Sequence, residues 1–455
     1  MDTAMRQAAQ HPERLSSRVL AGPLHRARLD NGLRILVAPD RSAPVVAVAV
    51  MYDVGHRTEP EGSEGLAHLF EHLMFQGSEN LEKLAHARYV HACGGSFNGT
   101  THRDHTSYYQ VLSSGALELA LFLEADRMRA PLLTEKGLAN QVAVVGQEFR
   151  RKILDNPYGG LPSPYLPAVM FDDFANAHDG WGAVERLRTV TLGECRAFFE
   201  KHYSPANALL VVCGDAEPDL VAELAERHFG PIPAGTAPLP RTPVGVGGAP
   251  STGARHTEHH HPAAVLPALC AGWRLPDPAG PGDAYASALL LAEVLTDGAD
   301  SLLQRRLIHQ EGRVSQLSMA AGSGGRPFES RDPDALALVA MLHPGTDPQD
   351  VLSAVYEELE HVADNAPAPE LLARVATKWA TAWARSLDPL GMRVQRLGAF
   401  ELLHAKAELA LELPTRIRQI TPSHLAGAAA ALADQPRRWV TVASQAERQP
   451  SGTPR

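Results

Sequence analysis

The stretch GLAHLFEHLMF, residues 65–75, places two histidines and a glutamate within one short segment. Its apolar residues recur every three or four positions, which predicts an amphipathic helix. Positions i and i+4 share a helix face, so we expect His68 and His72 to lie one turn apart, with Glu71 close to both rings. The segment is therefore either a buried helix with two core histidines or half of a metal site.

The composition places the chain among soluble globular proteins. Its 455 residues are enough for at least two domains. A hydrophobic fraction of 44% and a charged fraction of 21% are ordinary for such a protein. A formal charge of −10 argues against a nucleic-acid partner.

The cysteines and the apolar runs indicate a cytoplasmic protein without a membrane segment. Four widely spaced cysteines include no CxxC pair, which favours reduced thiols over a disulfide framework. The N-terminal residues contain no apolar run of signal-peptide length, and no later run reaches the ~18 residues of a membrane helix.

Strand-like and helical segments alternate along the first half. The predicted strands are 25–40 (two runs around a turn at Asp30-Asn31-Gly32), 44–55, 96–112 and 208–215. The predicted helices are 65–75, 81–93, 115–130, 137–154 and 191–203.

A similar mixture recurs after a segment rich in Pro, Gly, Ser and Thr, which predicts a linker. The strand-like segments there are 263–273 and 334–342, and the helical ones are 284–295, 348–364 and 368–386. We therefore predict an α+β protein with a duplicated architecture. Its parts are an N-terminal tail (1–22), a first domain (23–232), a linker (233–257) and a second domain (258–455).

The glutamate of the opening segment shifts the balance towards a metal site. His-x-x-Glu-His supplies two imidazole ligands and a carboxylate able to take a proton from water, and it is the reverse of the His-Glu-x-x-His zinc-peptidase motif. A motif of five residues also arises by chance, so a third ligand is required.

The segment GLAHLFEHLMFQGS resembles the active-site segment of the pitrilysin/insulinase family of metallopeptidases. The resemblance extends to LDNGLRILVAPD before it and to GGSFNGTTHRDHTSYY, NQVAVVGQE and FFEKHYSPANALLVVCGD after it. A weaker likeness, DGADSLLQRRL, lies in the second half. The match spans roughly residues 25–410.

The resemblance implies a zinc endopeptidase with one Zn²⁺ per chain. His68, His72 and Glu148 would be its ligands and Glu71 its general base. Where relatives often carry another glutamate, this chain has Gln141, whose amide can hydrogen-bond a neighbouring group but supplies no charge.

The resemblance also implies a peptide-binding strand in SFNGT. The extended substrate would add to the edge of this strand through main-chain hydrogen bonds, with contacts from Phe97, Asn98 and Gly99. Asn98 also has the simpler interpretation of a turn residue. His102 and His105, three residues apart in the same strand-like segment, are expected to face opposite sides and to serve structure or solvent contact.

Active relatives also use an arginine and a tyrosine from a C-terminal domain to hold the substrate. The corresponding segment here, 333–351, contains neither residue, and Arg331 and Tyr356 only flank it. The resemblance therefore implies one half of a clam-like chamber. It favours a heterodimer with a related zinc-free subunit that supplies the Arg/Tyr pair over a homodimer.

Two other functions fit less of the sequence. A non-catalytic scaffold that only binds peptides or partners does not need the complete set of His68, Glu71, His72 and Glu148. A structural zinc site does not leave an open coordination position beside a base.

Overall fold

The computed structural model describes residues 23–182, 184–235, 253–280, 282–322, 326–331 and 333–444. The predicted tail 1–22 and residues 236–252 of the predicted linker lie outside this range. Within the described part, no helix is both long and apolar enough to cross a membrane.

The described residues contain eleven strands and fifteen α-helices. The strands are β1 His25–Arg28, β2 Arg34–Pro39, β3 Val45–Tyr52, β4 Ser96–Thr101, β5 Thr106–Ser113, β6 Ala208–Gly214, β7 Arg255–His260, β8 Ala268–Leu275, β9 Val314–Ala321, β10 Asp334–Leu342 and β11 Arg438–Ala443. The helices are α1 Leu66–Leu73, α2 Ala85–Ala92, α3 Leu117–Arg129, α4 Glu135–Phe149, α5 Tyr165–Met170, α6 Phe174–Ala177, α7 Val184–Leu187, α8 Leu192–His202, α9 Pro218–Phe229, α10 Ala284–Thr296, α11 Pro348–Asp364, α12 Pro369–Ser386, α13 Leu390–His404, α14 Leu409–Arg418 and α15 Pro422–Ala433.

The first sheet has six strands in the order β1-β2-β6-β3-β5-β4. Its centre consists of β3 and β6, which are rich in Val and Leu and are buried nearly throughout. Continuous apolar strands of this kind require cover on both faces of the sheet. Helices α1 and α3 pack on one face and α13 on the other.

The second sheet repeats this topology with five strands in the order β7-β11-β8-β10-β9. In both sheets a parallel pair (β2–β6 and β7–β11) is followed by three antiparallel pairings. The strands correspond one to one in chain order, from β2 with β7 to β6 with β11. The architecture is therefore duplicated, as the mixture of segments predicts, although no residue motif is shared.

The two compact units interleave along the chain. One takes in the described residues of 1–144, 182–241 and 381–414, and the other those of 145–181, 242–380 and 415–455. Helix α13, late in the chain, covers the first sheet, whereas α5, early in the chain, packs on β8 and β11 of the second. The predicted domains, 23–232 and 258–455, are each one continuous stretch of chain. The sequence does not predict that helices from one half cover the sheet of the other, because local sequence patterns do not specify which sheet a helix covers.

The predicted strand-like segment 96–112 is a hairpin, not one strand. β4 and β5 pair antiparallel, and the turn between them is closed by the His102 N–H donating to the His105 carbonyl at 2.8 Å. The expectation that His102 and His105 face opposite sides is wrong: both flank this turn, and their ring centroids lie 4.6 Å apart.

Candidate active site

Helix α1 presents its histidines on one face and buries the other. Gly65, at φ +87°, supplies the left-handed residue from which the helix begins. Leu69 and Phe70 are fully buried. The rings of His68 and His72 are half-buried, with centroids 5.1 Å apart, as the i, i+4 spacing predicts.

A buried carboxylate that the sequence analysis missed anchors the start of α1. Glu59 is 3% exposed and accepts hydrogen bonds from the backbone N–H groups of Gly65 at 2.9 Å and Ala67 at 2.6 Å. It thereby satisfies two donors at a helix N-terminus, where a negative charge is also favourable. Ala67 directly precedes His68, so this anchor fixes the turn that carries the first histidine.

The β4 strand packs directly against Glu71. The Thr101 hydroxyl donates to Glu71 Oε2 at 2.7 Å. Two residues earlier, a Cβ added to Gly99 would lie 2.9 Å from Glu71 Cγ and 3.1 Å from Phe75 Cε2. Only a glycine allows the strand to approach the helix this closely.

Glu148 lies in the last turn of α4. One ligand-capable atom from each of His68, His72 and Glu148 lies within 4.8 Å of the others. The Glu148 carboxylate, 19% exposed, also pairs with Lys152 Nζ at 2.5 Å. Two residues of the local motif and one from another helix thus meet at a single point.

This donor set fits zinc. Two imidazoles and one carboxylate form a three-ligand set typical of catalytic zinc, in which a further position stays open. Gln141 is 5% exposed and lies two helical turns before Glu148. It is therefore on the same face of α4 as Glu148, as the sequence predicts. Its role beside the ligands remains a prediction.

The predicted peptide-binding residues lie on an edge strand, since β4 ends the first sheet and pairs only with β5 among the described strands. Asn98 is exposed, and its Oδ1 accepts the Gly99 N–H at 2.9 Å. Phe97 is half-buried, with its ring 5.3 Å from that of Phe75. Contacts of these residues with a substrate remain predictions.

A buried aromatic layer supports α1 from below. The Tyr108 hydroxyl donates to the Phe70 carbonyl at 3.2 Å, and the Arg127 guanidinium stacks 4.4 Å from the Tyr108 ring centroid. Arg127 also pairs with Glu124. Burial raises the pKa of Glu124, although the Arg127 charge opposes this shift.

The second unit offers no exposed tyrosine where the family resemblance requires one. β10 contains neither Arg nor Tyr. Tyr356 is 5% exposed, and its ring packs 5.9 Å from that of Trp273 and 4.7 Å from the Arg437 guanidinium. It is a core residue of its own unit.

Comparisons with known proteins identify the family of the chain. A model of the family described as Insulinase (Peptidase family M16) matches residues 34–157, and a model described as Peptidase M16 inactive domain matches residues 189–378. The chain therefore belongs to the insulinase-type zinc protease family, peptidase family M16.

Individual relatives span much of the chain. It is 27% identical over 349 residues to the zinc protease PqqE of Helicobacter pylori, covering 70% of this chain and 74% of that one. It is 29% identical over 203 residues to subunit 1 of the mitochondrial cytochrome b-c1 complex of Bos taurus, covering 45% and 42%. A solved protease structure from Helicobacter pylori has a TM-score of 0.80 at 22% identity, covering 92% of this chain and 99% of that one. This likeness confirms the α+β fold.

Proposed function

We propose that the chain is a zinc-dependent endopeptidase that hydrolyses unfolded peptides or leader peptides. The observation that carries the proposal is the convergence of His68, His72 and Glu148 within 4.8 Å, with Glu71 on the same helix as the two histidines. A scaffold has no need for this complete arrangement.

The residues divide the chemistry between them. Zinc held by His68, His72 and Glu148 would supply a Lewis acid that activates water and polarises the scissile carbonyl. Glu71 is the general base: Oε1 takes a proton from the attacking water and then delivers it to the nitrogen of the leaving amine. The free edge of β4 would hold the peptide by main-chain hydrogen bonds, which suits substrates of varied sequence.

We further propose that the active form is a heterodimer with a related subunit that lacks the zinc motif. Tyr356 is buried and β10 carries no Arg or Tyr, so the chain itself offers no such pair at that strand. The partner would supply these two side chains.

The test is cleavage of an unstructured peptide by the purified chain, alone and with a co-expressed related chain that lacks His-x-x-Glu-His. Glu71→Gln should lower kcat by about 10²–10⁴-fold while zinc stays bound, because the amide cannot accept the proton. Glu61→Gln, an exposed change on the loop before α1, is the matched control.

Each part of the proposal has its own contradicting result. Full activity of Glu71→Gln would overturn the base. Full activity of the chain alone, as a monomer or homodimer by light scattering, would overturn the heterodimer. Tight peptide binding without cleavage under any of these conditions would favour the non-catalytic scaffold.

A further inference from the structure

Strand β4 contacts Glu71, the candidate general base, in two ways: by a hydrogen bond and by close packing. Side chains alternate between the faces of a strand, so Gly99 and Thr101 point to the same side, towards α1. Gly99 makes room for the Glu71 side chain, and the Thr101 hydroxyl reaches its carboxylate. The strand proposed to hold the peptide therefore also contacts the group proposed to move the proton.

The hydroxyl has one proton and two acceptors within reach. Glu71 Oε2 lies at 2.7 Å and the Ala67 carbonyl oxygen at 3.5 Å. A hydroxyl bonded to a carboxylate is a charge-assisted donor and forms the stronger of the two bonds. The geometry thus assigns the proton of Thr101 to Glu71.

We propose that Thr101 is a positioning residue for Glu71. A glutamate side chain has three rotatable torsions, the last of them broad, so an untethered carboxylate samples many orientations. By holding Oε2, Thr101 fixes the plane of the carboxylate and leaves the proton transfer to Oε1. This inference rests on the proposed peptidase function and adds a residue to it.

The alternative is that the bond merely ties the hairpin to the helix. Thr106 provides a matched control, because it lies directly opposite Thr101 in the β4–β5 register. Its buried hydroxyl donates to the Val54 carbonyl at 2.8 Å. Thr106→Val therefore removes a hydroxyl-to-carbonyl bond of the same hairpin that involves neither Thr101 nor Glu71.

The experiment compares Thr101→Val, Thr101→Ser and Thr106→Val in peptide cleavage and zinc content. Thr101→Val should lower kcat about 10- to 100-fold with little change in KM or zinc content, because the base is misplaced and the peptide edge is intact. Thr101→Ser keeps the hydroxyl and should restore most of kcat. Thr106→Val should lower Tm but retain kcat. In a Glu71→Gln background, Thr101→Val should cause no further loss.

A structural readout keeps this inference separate from the proposed function. Crystal structures of the metal-free Thr101→Val chain should show Glu71 in a new or disordered rotamer on an unchanged α1, and those of Thr106→Val should not. Unchanged kcat in Thr101→Val, or an unmoved Glu71, overturns the inference. A wild-type chain that cleaves no peptide with any partner overturns the peptidase proposal, and the rotamer comparison still decides the role of Thr101.

Discussion

Glu59 is a buried acid whose role depends on tertiary structure. Its carboxylate accepts two backbone N–H groups at the start of α1, and it is nearly inaccessible to water. In sequence it stands among Pro60, Glu61 and Gly62, where an acid is ordinarily solvated. Removing one acceptor from a buried pair leaves an unsatisfied donor, which costs about 1–3 kcal/mol.

Glu59→Gln should therefore destabilise the first unit and weaken the metal site. The amide has one acceptor oxygen in place of two, so one helix N–H loses its partner. We expect the free energy of unfolding in urea to fall by about 1–3 kcal/mol and zinc to be lost to a chelator at lower concentration. Glu61→Gln is the control, and equal behaviour of the two variants would contradict the anchor.

The environment of His86 in the folded chain disfavours the protonated form of its ring. Its ring lies among Phe75 and Phe97, and its Nε2 has no hydrogen-bond partner in the described structure. Burial, with repulsion from the Arg127 guanidinium, lowers the pKa of His86 to about 2. The unfolded chain protonates this histidine near pH 6.5, whereas the folded chain does not, so stability falls as the pH falls below that value.

His86→Phe should reduce the acid sensitivity. Above about pH 6.5 His86 is neutral in both the folded and the unfolded chain, and its titration does not affect stability. At pH 5 only the unfolded chain binds the proton, which lowers the free energy of unfolding by about 2 kcal/mol. Urea unfolding of the metal-free proteins at pH 7 and pH 5 should show a difference smaller by about that amount in His86→Phe. Identical pH differences in the variant and the wild type would refute this effect of His86.

Sequence reasoning predicted the site only as far as local spacing reaches. His68, Glu71 and His72 follow from one helix face. Glu148 lies on another helix and was assigned through the family resemblance. Glu59 and Thr101 escaped because only the packed loop and hairpin bring them to α1, and no periodicity marks such contacts.

At the scale of elements, the β4–β5 hairpin is the part least apparent from sequence. Segment 96–112 has continuous strand character, and the four-residue turn contains no glycine to mark it. The same hairpin packs closely on α1, because Gly99 of β4 lies against the side chains of Glu71 and Phe75. The boundaries of several helices, by contrast, follow the apolar period, as α11 at 348–364 does.

Gly99→Ala should damage both packing and catalysis. The added methyl group would overlap Glu71 Cγ, so the strand or the base must move. Overpacking of this kind costs about 1–3 kcal/mol, and we expect kcat to fall at least tenfold. Gly115→Ala is the matched control, because a Cβ there meets nothing within 4 Å. Wild-type kcat and Tm in Gly99→Ala would contradict the close approach.

At the scale of the whole molecule, the exchange of segments decides which residues stabilise the first sheet. Helix α13 lies on β3 and β6, and Gly398 is at the point of contact. A Cβ there would overlap Met51 Sδ and lie 3.0 Å from Val211 Cγ2. A residue late in the chain therefore belongs to the core of the unit that carries His68 and His72.

Gly398→Ala should accordingly lower stability by about 1–3 kcal/mol through overpacking. Gly427→Ala, in helix α15 with nothing within 4 Å of the added Cβ, should be neutral or slightly stabilising. Differential scanning calorimetry of both variants measures the effect. Equal melting temperatures would mean that α13 is not packed tightly on the sheet.

The late position of α13 has a consequence during synthesis. The last strand of the first sheet is complete at residue 214, but the helix that covers its second face ends at residue 404, about 190 residues later. At a translation rate of about 5–20 residues per second, about 10–40 s pass between the synthesis of β6 and that of α13, and during this time one apolar face of the sheet lacks the helix that packs on it. We expect chaperones that bind exposed apolar surface to bind the nascent chain in that interval. The first unit can be completed only when most of the polypeptide has left the ribosome.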